Sequence, residues 1–548
     1  MLFPSLLEEW NRAKPLIKRG YRVLNKEVTI GIPGISFPAI SSAKNTGIGS
    51  PYGGGAEKVA FFFEGIVDKV LLTPTGETFP PYFSPYTGSL GYNPFFIPLE
   101  KAPFLSDKTL ESIHKSTNTK TKIDYKEVNK HYRKALHEIY KNYQSALSKG
   151  DKLATTLAKE LSIFIKENPY IQIDANYYHN KEQDYYLFIE YLASTFIKDA
   201  PFSYIGDIPV KLPDSYCHAY SDIFLKGFSM GVPPDNLNKK ETDWGFPVIN
   251  PDKLFNKDGS LGVAGKLLEH IFDTTFKHNK GGLRIDHFIG MVNPFIISKS
   301  PKYESGRLYS SPDHPIFKKF TKHTTQEFAS IAKEIIINTA NKNHFDLNKI
   351  YIEDIGSRPE QLDEVIKILG LGRMLVSQFI EPENPNHIYR LAHANPNDIA
   401  VLNTHDMESV NDYFTAMNEE TRTLHAHQLA EDLRFNFMPD LSEPKTLVRM
   451  KWGELMASPA KRVMAFFTSF TGQEGRFNEP DNPIKWKLRM ETDFEENYLR
   501  RLKQGLAYNP FDAVCLGIYA RGDDFFNQNK DLVSELRTTE QNILNMIT

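Results

Sequence analysis

The segment GGLRIDHFIG, residues 281–290, decides the fold of this 548-residue chain. It has the pattern of a short buried strand entered through two glycines, yet it carries three titratable side chains, those of Arg284, Asp286 and His287. An unpaired ion inside a protein core costs several kcal/mol, so core strands avoid charge. We therefore expect these side chains at an end of the strand, where a functional site can use them.

The composition is that of an ordinary globular protein. Charged residues make up 24% of the chain, hydrophobic residues make up 41%, and the formal net charge is −3. A chain of this length can bury a sizeable core. Its near-neutral charge gives no reason to expect a nucleic acid as partner.

The cysteines and the first residues bear on the compartment. Cys217 and Cys515 lack metal-type spacing, which argues against a zinc site and a disulfide scaffold and fits a reducing compartment. The start, MLFPSLLEEWNRAKPL, carries acidic residues early and does not have the pattern of a secretory signal. Apolar runs such as VAFFFEGIV are short, so no membrane span is expected. These patterns predict a cytoplasmic protein without a membrane partner, and they leave the oligomeric state open.

Eight β-type runs recur along the chain, and helical patterns separate the later ones. Strands that alternate with helices predict βαβ units and a parallel sheet. Eight such strands suit an α/β fold of the (β/α)8 TIM-barrel type. A doubly wound open sheet is the alternative, but no glycine-rich phosphate loop follows the first strand. The eight runs are 27–35, 68–74, 204–212, 281–288, 349–356, 373–379, 398–406 and 463–470.

Two gaps between the predicted strands are too long for simple crossovers. Residues 77–203, after the second strand, are rich in lysine and have a helical pattern with one apolar face. Residues 213–264, after the third strand, are rich in Pro, Gly, Asn and Asp. We predict one catalytic barrel domain over 1–548, with a largely helical insertion at 77–203 and a loop-rich insertion at 213–264. The apolar face consists of Val128, Tyr132, Leu136, Ile139 and Tyr143.

Acidic residues lie at the ends of several predicted strands. Asp207 is on the third strand, Asp286 on the fourth, Glu353 on the fifth and Asp406 on the seventh. In a (β/α)8 barrel the C-terminal ends of all strands converge on the face that holds the active site. We therefore expect the acids of the fourth, fifth and seventh strands to meet, although they are far apart in sequence.

The surroundings of these acids suggest different roles for them. Arg284 and Asp286 are two residues apart, so they point the same way, and the cation should lower the pKa of the carboxylate, as suits a nucleophile. Glu353 has no basic neighbour in sequence, and partial desolvation would raise its pKa, as suits an acid that later acts as a base. Such a pair, about 5 Å apart, is typical of retaining glycosidases and transglycosidases. A third carboxylate, that of Asp406, could hold sugar hydroxyls, and the chemistry requires no metal or cofactor.

Each motif taken alone has a simpler interpretation. An Arg–Asp pair is more often a structural ion pair, and acidic residues after a strand favour the first turn of a helix. His405, next to Asp406, can be a hydrogen-bonded core histidine. The three acidic strand ends occur in order in a chain of βα units, and this joint occurrence favours a site.

The motifs RIDHF, IEDIG and THD resemble those of the amylomaltases, or 4-α-glucanotransferases, of glycoside hydrolase family 77. Four further segments resemble the same family, in family order, so that the resemblance covers most of the chain. These segments are SPYTGSLGYNPFFIPLE (84–100), IGDIPVKLPDS (205–215), GVPPDNLNKKETDWGFP (231–247) and RFNEPDNPIKWKLRM (476–490).

The resemblance implies a fold and a set of roles. The fold is a (β/α)8 barrel with inserted subdomains and no separate C-terminal β-domain. Asp286 would be the nucleophile, Glu353 the general acid and base, and Asp406 the stabiliser of the transition state. Together with the other polar residues at the strand ends, the substrate-binding candidates are Arg284, His405, Tyr86, Asp235, Trp244, Asp207 and His287.

The implied reaction cleaves an α-1,4-glucan, retains one part as a covalent enzyme ester and transfers it to the 4-hydroxyl of glucose or a maltodextrin. The implied partners are malto-oligosaccharides and α-1,4-glucans. Two alternatives remain: a mainly hydrolytic α-glucosidase or amylase-like enzyme on the same barrel, and a catalytically weak glucan-binding protein.

The chain departs from the family pattern at a few positions, so it resembles a divergent branch. Ile289 follows the DHF motif where the family usually has Arg, and Met407 follows THD where it has Asn or a small polar residue. Phe246 stands at an Asn position, and the Gly-Thr that usually follows Pro480 is missing. These departures bear on substrate length, acceptor preference and rate.

Overall fold

The computed structural model describes most of the chain. The predicted binding residue Asp235 and residues 478–485 of the C-terminal motif lie outside the described residues. The described ranges are 2–117, 121–234, 240–300, 304–309, 325–359, 361–435, 443–477 and 486–547.

The described part of the chain contains twelve β-strands, which form two sheets. They are β1 (Glu27–Gly31), β2 (Lys69–Leu71), β3 (Ser203–Ile208), β4 (Phe228–Val232), β5 (Thr242–Phe246), β6 (Gly282–Ile285), β7 (Phe295–Ser298), β8 (Gly306–Arg307), β9 (Ile350–Ile352), β10 (Gly372–Val376), β11 (Ile399–Val401) and β12 (Arg462–Phe466).

Eight of these strands close into a parallel barrel in the order β1, β2, β3, β6, β9, β10, β11 and β12. The last strand pairs with the first, so that Gly31 lies opposite Phe466. Each of the eight predicted runs supplies one barrel strand. The predicted TIM barrel is therefore confirmed, and the alternative of an open sheet is wrong.

The barrel interior is filled by apolar side chains. They belong to six of the eight strands and form one buried cluster, as expected where inward-facing residues of a barrel pack in layers. The strands are nearly continuous apolar runs because both of their faces are buried. The members of the cluster are Leu71, Ile205, Tyr351, Met374, Val376, Ile399, Val401 and Met464.

Helices surround the barrel and occupy much of the segment between β2 and β3. In that segment the predicted apolar face is buried on the helix Tyr125–Ser148, whose N-terminus is capped by Asp124. No helix in the described ranges is both long and apolar enough to cross a membrane. The described α-helices are Leu2–Leu24, Gly54–Phe62, Asp107–Ser116, Tyr125–Ser148, Lys152–Glu167, Ile171–Tyr178, Gln183–Thr195, Asp214–Ala219, Val263–His278, Ile289–Val292, Thr325–Ala332, Asn338–Lys342, Leu362–Leu369, Val410–Ala416, Glu419–Asp432, Pro444–Ala457, Phe467–Thr471, Phe494–Gln504, Pro510–Tyr519, Asp523–Gln528 and Lys530–Met546.

A second, antiparallel sheet has the order β5, β4, β7 and β8. Two of its strands lie in the stretch 213–264, which the sequence predicts to be loop-like. The pattern concealed β5 because most of its residues are exposed and because Gly245 adopts a positive φ of 70°. This sheet carries Trp244 and Phe246 to the C-terminal face of the barrel.

Asp512 joins three of the outer helices, and its replacement tests how much this contact stabilises the fold. Its carboxylate accepts hydrogen bonds from Arg449 at 2.9 Å and from Arg537 at 2.6 Å. Burial alone would raise the pKa of Asp512, but the two guanidinium groups outweigh burial and lower that pKa. We expect Asp512→Asn to lower the free energy of unfolding by about 2 kcal/mol at pH 7 in a urea titration.

A carboxylate with a lowered folded-state pKa stabilises the fold above its unfolded pKa and loses this effect as the pH falls through its folded pKa. The difference between the two proteins should therefore shrink below pH 3.8, the ordinary value for Asp. The control is Glu535→Gln, which removes an exposed pair with Arg19 and should change stability by less than about 0.5 kcal/mol. An equal effect of both substitutions would contradict the role given to Asp512.

Candidate active site

A cleft of about 510 Å³ opens at the C-terminal ends of the barrel strands. Two predicted residues, Arg284 and Asp207, lie beneath its surface, with side chains only 2% and 1% exposed. The predicted residues that line the cleft are Tyr86, Trp244, Asp286, His287, Glu353, His405 and Asp406.

The Arg284 guanidinium connects three carboxylates from three neighbouring strands. Its Nη1 donates to both oxygens of Asp207 at 2.7 Å, and its Nη2 donates to Asp286 Oδ1 at 2.9 Å and to Glu353 Oε1 at 2.8 Å. The planar donor fork of Arg suits such multiple contacts, whereas Lys offers only a point charge. In the described ranges no group of three or more His, Cys, Asp or Glu residues could hold a metal ion.

The shared nitrogen limits the distance between the two predicted catalytic acids. Asp286 Oδ1 and Glu353 Oε1 lie 2.9 and 2.8 Å from one atom, so they are no more than about 5.7 Å apart, the sum of the two distances. Retaining glycoside-processing enzymes have carboxyl groups about 5 to 5.5 Å apart, and inverting enzymes need about 6.5 Å or more. This limit lies below the spacing of inverting enzymes and is compatible with retention.

The protonation of this pair differs from the prediction. Burial raises the pKa of Asp286 well above its ordinary value, although Arg284 opposes this effect. Burial would also raise the pKa of Glu353, but Arg284 and the His287 N–H group outweigh it and lower that pKa. Glu353 has no basic neighbour in sequence, but β6 brings Arg284 to it, so the pKa shifts of Glu353 and Asp286 have the opposite directions to those expected. If the two acids hold one proton between them, these directions place it on Asp286 rather than on Glu353 in the free site.

His287 has an unusual backbone conformation that serves Glu353. Its φ is 41°, in the left-handed region that residues with a Cβ rarely adopt. In this conformation its N–H donates to Glu353 Oε2 at 2.9 Å, while its ring lies edge-on to Trp244. Burial lowers the pKa of His287 to about 4, so the ring is neutral at neutral pH.

Tyr86 contacts the buried Asp207, one member of the cluster that Arg284 forms with its three carboxylates. Its hydroxyl donates to Asp207 Oδ2 at 2.7 Å, and its ring stacks on His405 with centroids 4.9 Å apart. It lies in the short 3₁₀ helix Pro85–Thr87, and Ser84 accepts a hydrogen bond from its backbone N–H. The motif that carries Tyr86 is thereby fixed to Asp207 of β3 and to Arg284 of β6.

Asp406 follows β11 and lines the cleft. Its side chain is 53% exposed, and His405 Nε2 is 3.1 Å from its Oδ2. Burial would lower the pKa of His405, but Asp406 outweighs burial and raises it. An exposed carboxylate beside a histidine with a raised pKa can accept hydrogen bonds from sugar hydroxyls.

Eight further residues line the cleft without having been singled out as site residues from the sequence, and Lys211, Phe246 and Trp486 are among them. The Trp486 ring lies 5.8 Å from Tyr86 and 5.4 Å from His405. The resemblance included Trp486 in a motif, but only the fold brings that motif to the cleft. Nothing in the sequence pattern distinguished Lys211 from a surface lysine.

The family departures have different structural consequences. Phe246 lines the cleft, so it can change substrate contacts. Ile289 is 1% exposed and lies in an apolar cluster, and Met407 packs against the apolar interior of the barrel. Effects of these two residues on substrate would therefore act through packing.

Fold and site together define a TIM-barrel protein with two carboxylates on one arginine nitrogen, closer together than the pair of an inverting glycoside-processing enzyme. The family model of glycoside hydrolase family 77, described as 4-alpha-glucanotransferase, matches residues 35–184 and 172–494. The chain therefore belongs to this family.

Two curated relatives are 4-alpha-glucanotransferases. The relative from Aquifex aeolicus (strain VF5) is 23% identical over 341 residues, which cover 60% of this chain and 60% of the relative. The relative from Clostridium butyricum is 24% identical over 310 residues, which cover 54% of this chain and 56% of the relative. The matches thus span at most 60% of these relatives' length.

Two solved structures share the fold. The amylomaltase from Streptococcus agalactiae in complex with acarbose has a TM-score of 0.69 and 19% identity, and the match covers 91% of this chain and 100% of that chain. The amylomaltase from Corynebacterium glutamicum has a TM-score of 0.65 and 16% identity, and the match covers 94% of this chain and 76% of that chain.

Replacement of Arg284 by Met tests whether one cation supports three acids. Without it, the buried carboxyls should have raised folded-state pKa values, so the folded protein would bind more protons than the unfolded chain. Stability then falls as the pH rises. We expect the variant to lose about 3 to 5 kcal/mol at pH 8 and clearly less at pH 5, as measured by urea unfolding.

Arg489→Met is the matched control. Arg489 is 1% exposed and donates to Phe37 O and to Asn45 Oδ1, which are uncharged acceptors. Burial lowers its pKa to about 10, so it stays charged between pH 5 and 8. Its replacement should cost the same at both pH values. A loss for the Arg284 variant that does not depend on pH would contradict the shared-cation account.

Proposed function

We propose that this protein is a retaining 4-α-glucanotransferase that acts on malto-oligosaccharides and α-1,4-glucans. Asp286 is the nucleophile, Glu353 the general acid and base, and Asp406 stabilises the transition state. The observation that carries the proposal is that Asp286 and Glu353 accept hydrogen bonds from one nitrogen of Arg284. Membership of family 77, and the acarbose bound to the amylomaltase from Streptococcus agalactiae, support an oligosaccharide substrate.

The first step cleaves the donor glucan. The Asp286 carboxylate attacks the anomeric carbon while Glu353 gives its proton to the departing glycosidic oxygen, so the old C–O bond breaks and a glucosyl ester forms. This step needs the shared proton on Glu353. A bound sugar removes water from around Glu353 and so raises its pKa, whereas Arg284 continues to stabilise the Asp286 anion.

The second step transfers the glucan. Glu353, now an anion, takes the proton from the 4-hydroxyl of an acceptor sugar, and the resulting oxygen attacks the ester to restore the α linkage and free Asp286. Water in place of the acceptor gives hydrolysis. The rings of Tyr86, Trp244 and Trp486 offer apolar faces on which sugar rings can pack.

The runner-up is a mainly hydrolytic α-glucosidase on the same site. It differs only in how well the site retains an acceptor and excludes water. Phe246, the departure that lines the cleft, is the residue through which acceptor binding can differ from the family pattern. The proposed compartment is the cytoplasm, in keeping with two free cysteines, Cys217 and Cys515.

Product analysis with maltotriose tests the activity and the two roles. The native protein should produce glucose together with a ladder of longer maltodextrins. We expect Asp286→Asn and Glu353→Gln to lose about a thousandfold or more in rate and to keep the native fold by circular dichroism.

The matched control is Asp346→Asn. Asp346 precedes β9, so it lies at the opposite end of the strand that leads to Glu353, where the barrel contributes stability rather than catalysis. This variant should keep the native product ladder. Glucose and maltose without longer products would favour the hydrolase, and full activity of Asp286→Asn would reject the proposed nucleophile.

The pH dependence of kcat/KM tests the shared proton, because this ratio reports the free enzyme. The active form carries one proton on the pair, so activity should fall when a second proton binds and when the last is lost. Arg284 and His287 lower the pKa of Glu353, so the acid limb should lie below pH 4.5, its ordinary value. The raised pKa of Asp286 sets the alkaline limb. Unfolding measured over the same pH range shows whether a fall in kcat/KM reflects loss of the fold. An acid limb near neutral pH would contradict the lowered pKa assigned to Glu353.

A further inference from the structure

A second cleft, of about 770 Å³, shares no lining residue with the catalytic cleft among the described residues, although Asp207, which contacts Arg284 beneath the catalytic cleft, also lines it. Its walls come mainly from residues 90–92, 168–174, 194–204 and 270–280, that is, from the helical segment before β3 and from the helix Val263–His278. It is larger than the catalytic cleft of about 510 Å³, and none of the three proposed catalytic acids lines it.

Aromatic rings form one side of this second cleft. The half-buried rings of Tyr170 and His270 stack with centroids 4.0 Å apart, and Tyr216 lies 6.4 Å beyond Tyr170. The Tyr92 hydroxyl is 3.2 Å from His278 Nδ1. Such rings combine an apolar face with polar edges, which matches the two kinds of surface on a pyranose ring.

The interior of the second cleft favours a neutral ligand. Burial lowers the pKa values of His270 and His278 to about 4, so at neutral pH each ring is uncharged and offers one donor and one acceptor. The carboxyl of Asp174 at the floor would repel an anion. The three lysines that line this cleft, Lys198, Lys277 and Lys280, are exposed.

The second cleft shares a segment with the catalytic site. Tyr86 lines the catalytic cleft, and Leu90 and Tyr92, a few residues later, line the second. The backbone N–H of Leu90 donates to Asp174, which also accepts a hydrogen bond from Ser215 Oγ. The walls are thus fixed in place, and a ligand against Tyr92 would contact the segment that positions Tyr86.

We propose that the second cleft binds a short α-1,4-glucan independently of the catalytic cleft. Its volume accommodates more than one sugar ring, and its stacked rings and uncharged donors and acceptors match the faces and hydroxyls of glucose units. The identity of the ligand rests on the proposed function, whereas the existence of a second saccharide site rests on the lining residues.

Calorimetric titration of maltohexaose into the full-length Asp286→Asn variant tests this proposal, because that variant should bind without turnover. Two binding sites per chain are expected. Adding Tyr170→Ala should weaken one of them by about fivefold or more, and adding Asp406→Asn should weaken the other. The matched control is Tyr177→Ala, an exposed tyrosine on the helix Ile171–Tyr178 that does not line the cleft, and it should leave both sites unchanged.

Thr274→Trp is the second variant, because it fills the cleft without removing a packed ring. It should also abolish the second site. A single site that responds only to Asp406→Asn would overturn the second-cleft proposal and leave the proposed function intact. Absence of any maltohexaose binding would count against the proposed function as well. Binding of glucose 6-phosphate that weakens with salt, in place of maltohexaose, would overturn the neutral-glucan assignment.

Discussion

The site depends on the buried guanidinium of Arg284. It contacts three carboxylates: that of Asp207 on β3, that of Asp286 after β6 and that of Glu353 after β9. Three carboxylates around one cation leave an excess of negative charge, and burial makes that excess costly. The cluster therefore favours protonation of one carboxyl, as the raised pKa of Asp286 indicates. A retained proton beside an ionised carboxylate is what double-displacement chemistry at a glycosidic bond requires.

This contact also constrains the barrel. Arg284 lies opposite Asp207 on β3 and opposite Tyr351 on β9. A register slip of one residue would turn Arg284 out of the barrel and leave the acids without their cation. The strained backbone at His287 belongs to the same arrangement, because its N–H supplies the second hydrogen bond to Glu353. An unfavourable backbone conformation persists only where the surrounding structure holds it in place. At His287, the packing of its ring against Trp244 provides such a restraint.

The sequence predicted the barrel because each strand is a short apolar run and helices separate the later ones. It also predicted that Asp286, Glu353 and Asp406 meet, since strand ends converge in this fold. It could not predict that Arg284 contacts Glu353, which is 69 residues away, because that contact depends on the register between strands. The lowered pKa of Glu353 follows from this contact and the raised pKa of Asp286 follows from burial, so the sequence predicted neither direction.

Other features escaped the sequence for different reasons. The exposed strand β5 lacks the alternation of buried and polar residues that reveals strands, so the sheet under Trp244 was not expected. Lys211 and the second cleft depend on how helices pack against β3, which no local pattern encodes. The departure at Ile289 seemed to concern substrate, but the fold buries this residue in the core.

The most direct test of the account is to identify the residue that becomes covalently attached to sugar. 5-Fluoro-α-D-glucosyl fluoride has a good leaving group and a ring fluorine that slows both steps, so the ester should accumulate. Digestion and peptide mass spectrometry should locate one glucosyl unit on Asp286. A label on Glu353, Asp207 or Asp406, or consumption of the fluoride without any labelled peptide, would contradict the central claim.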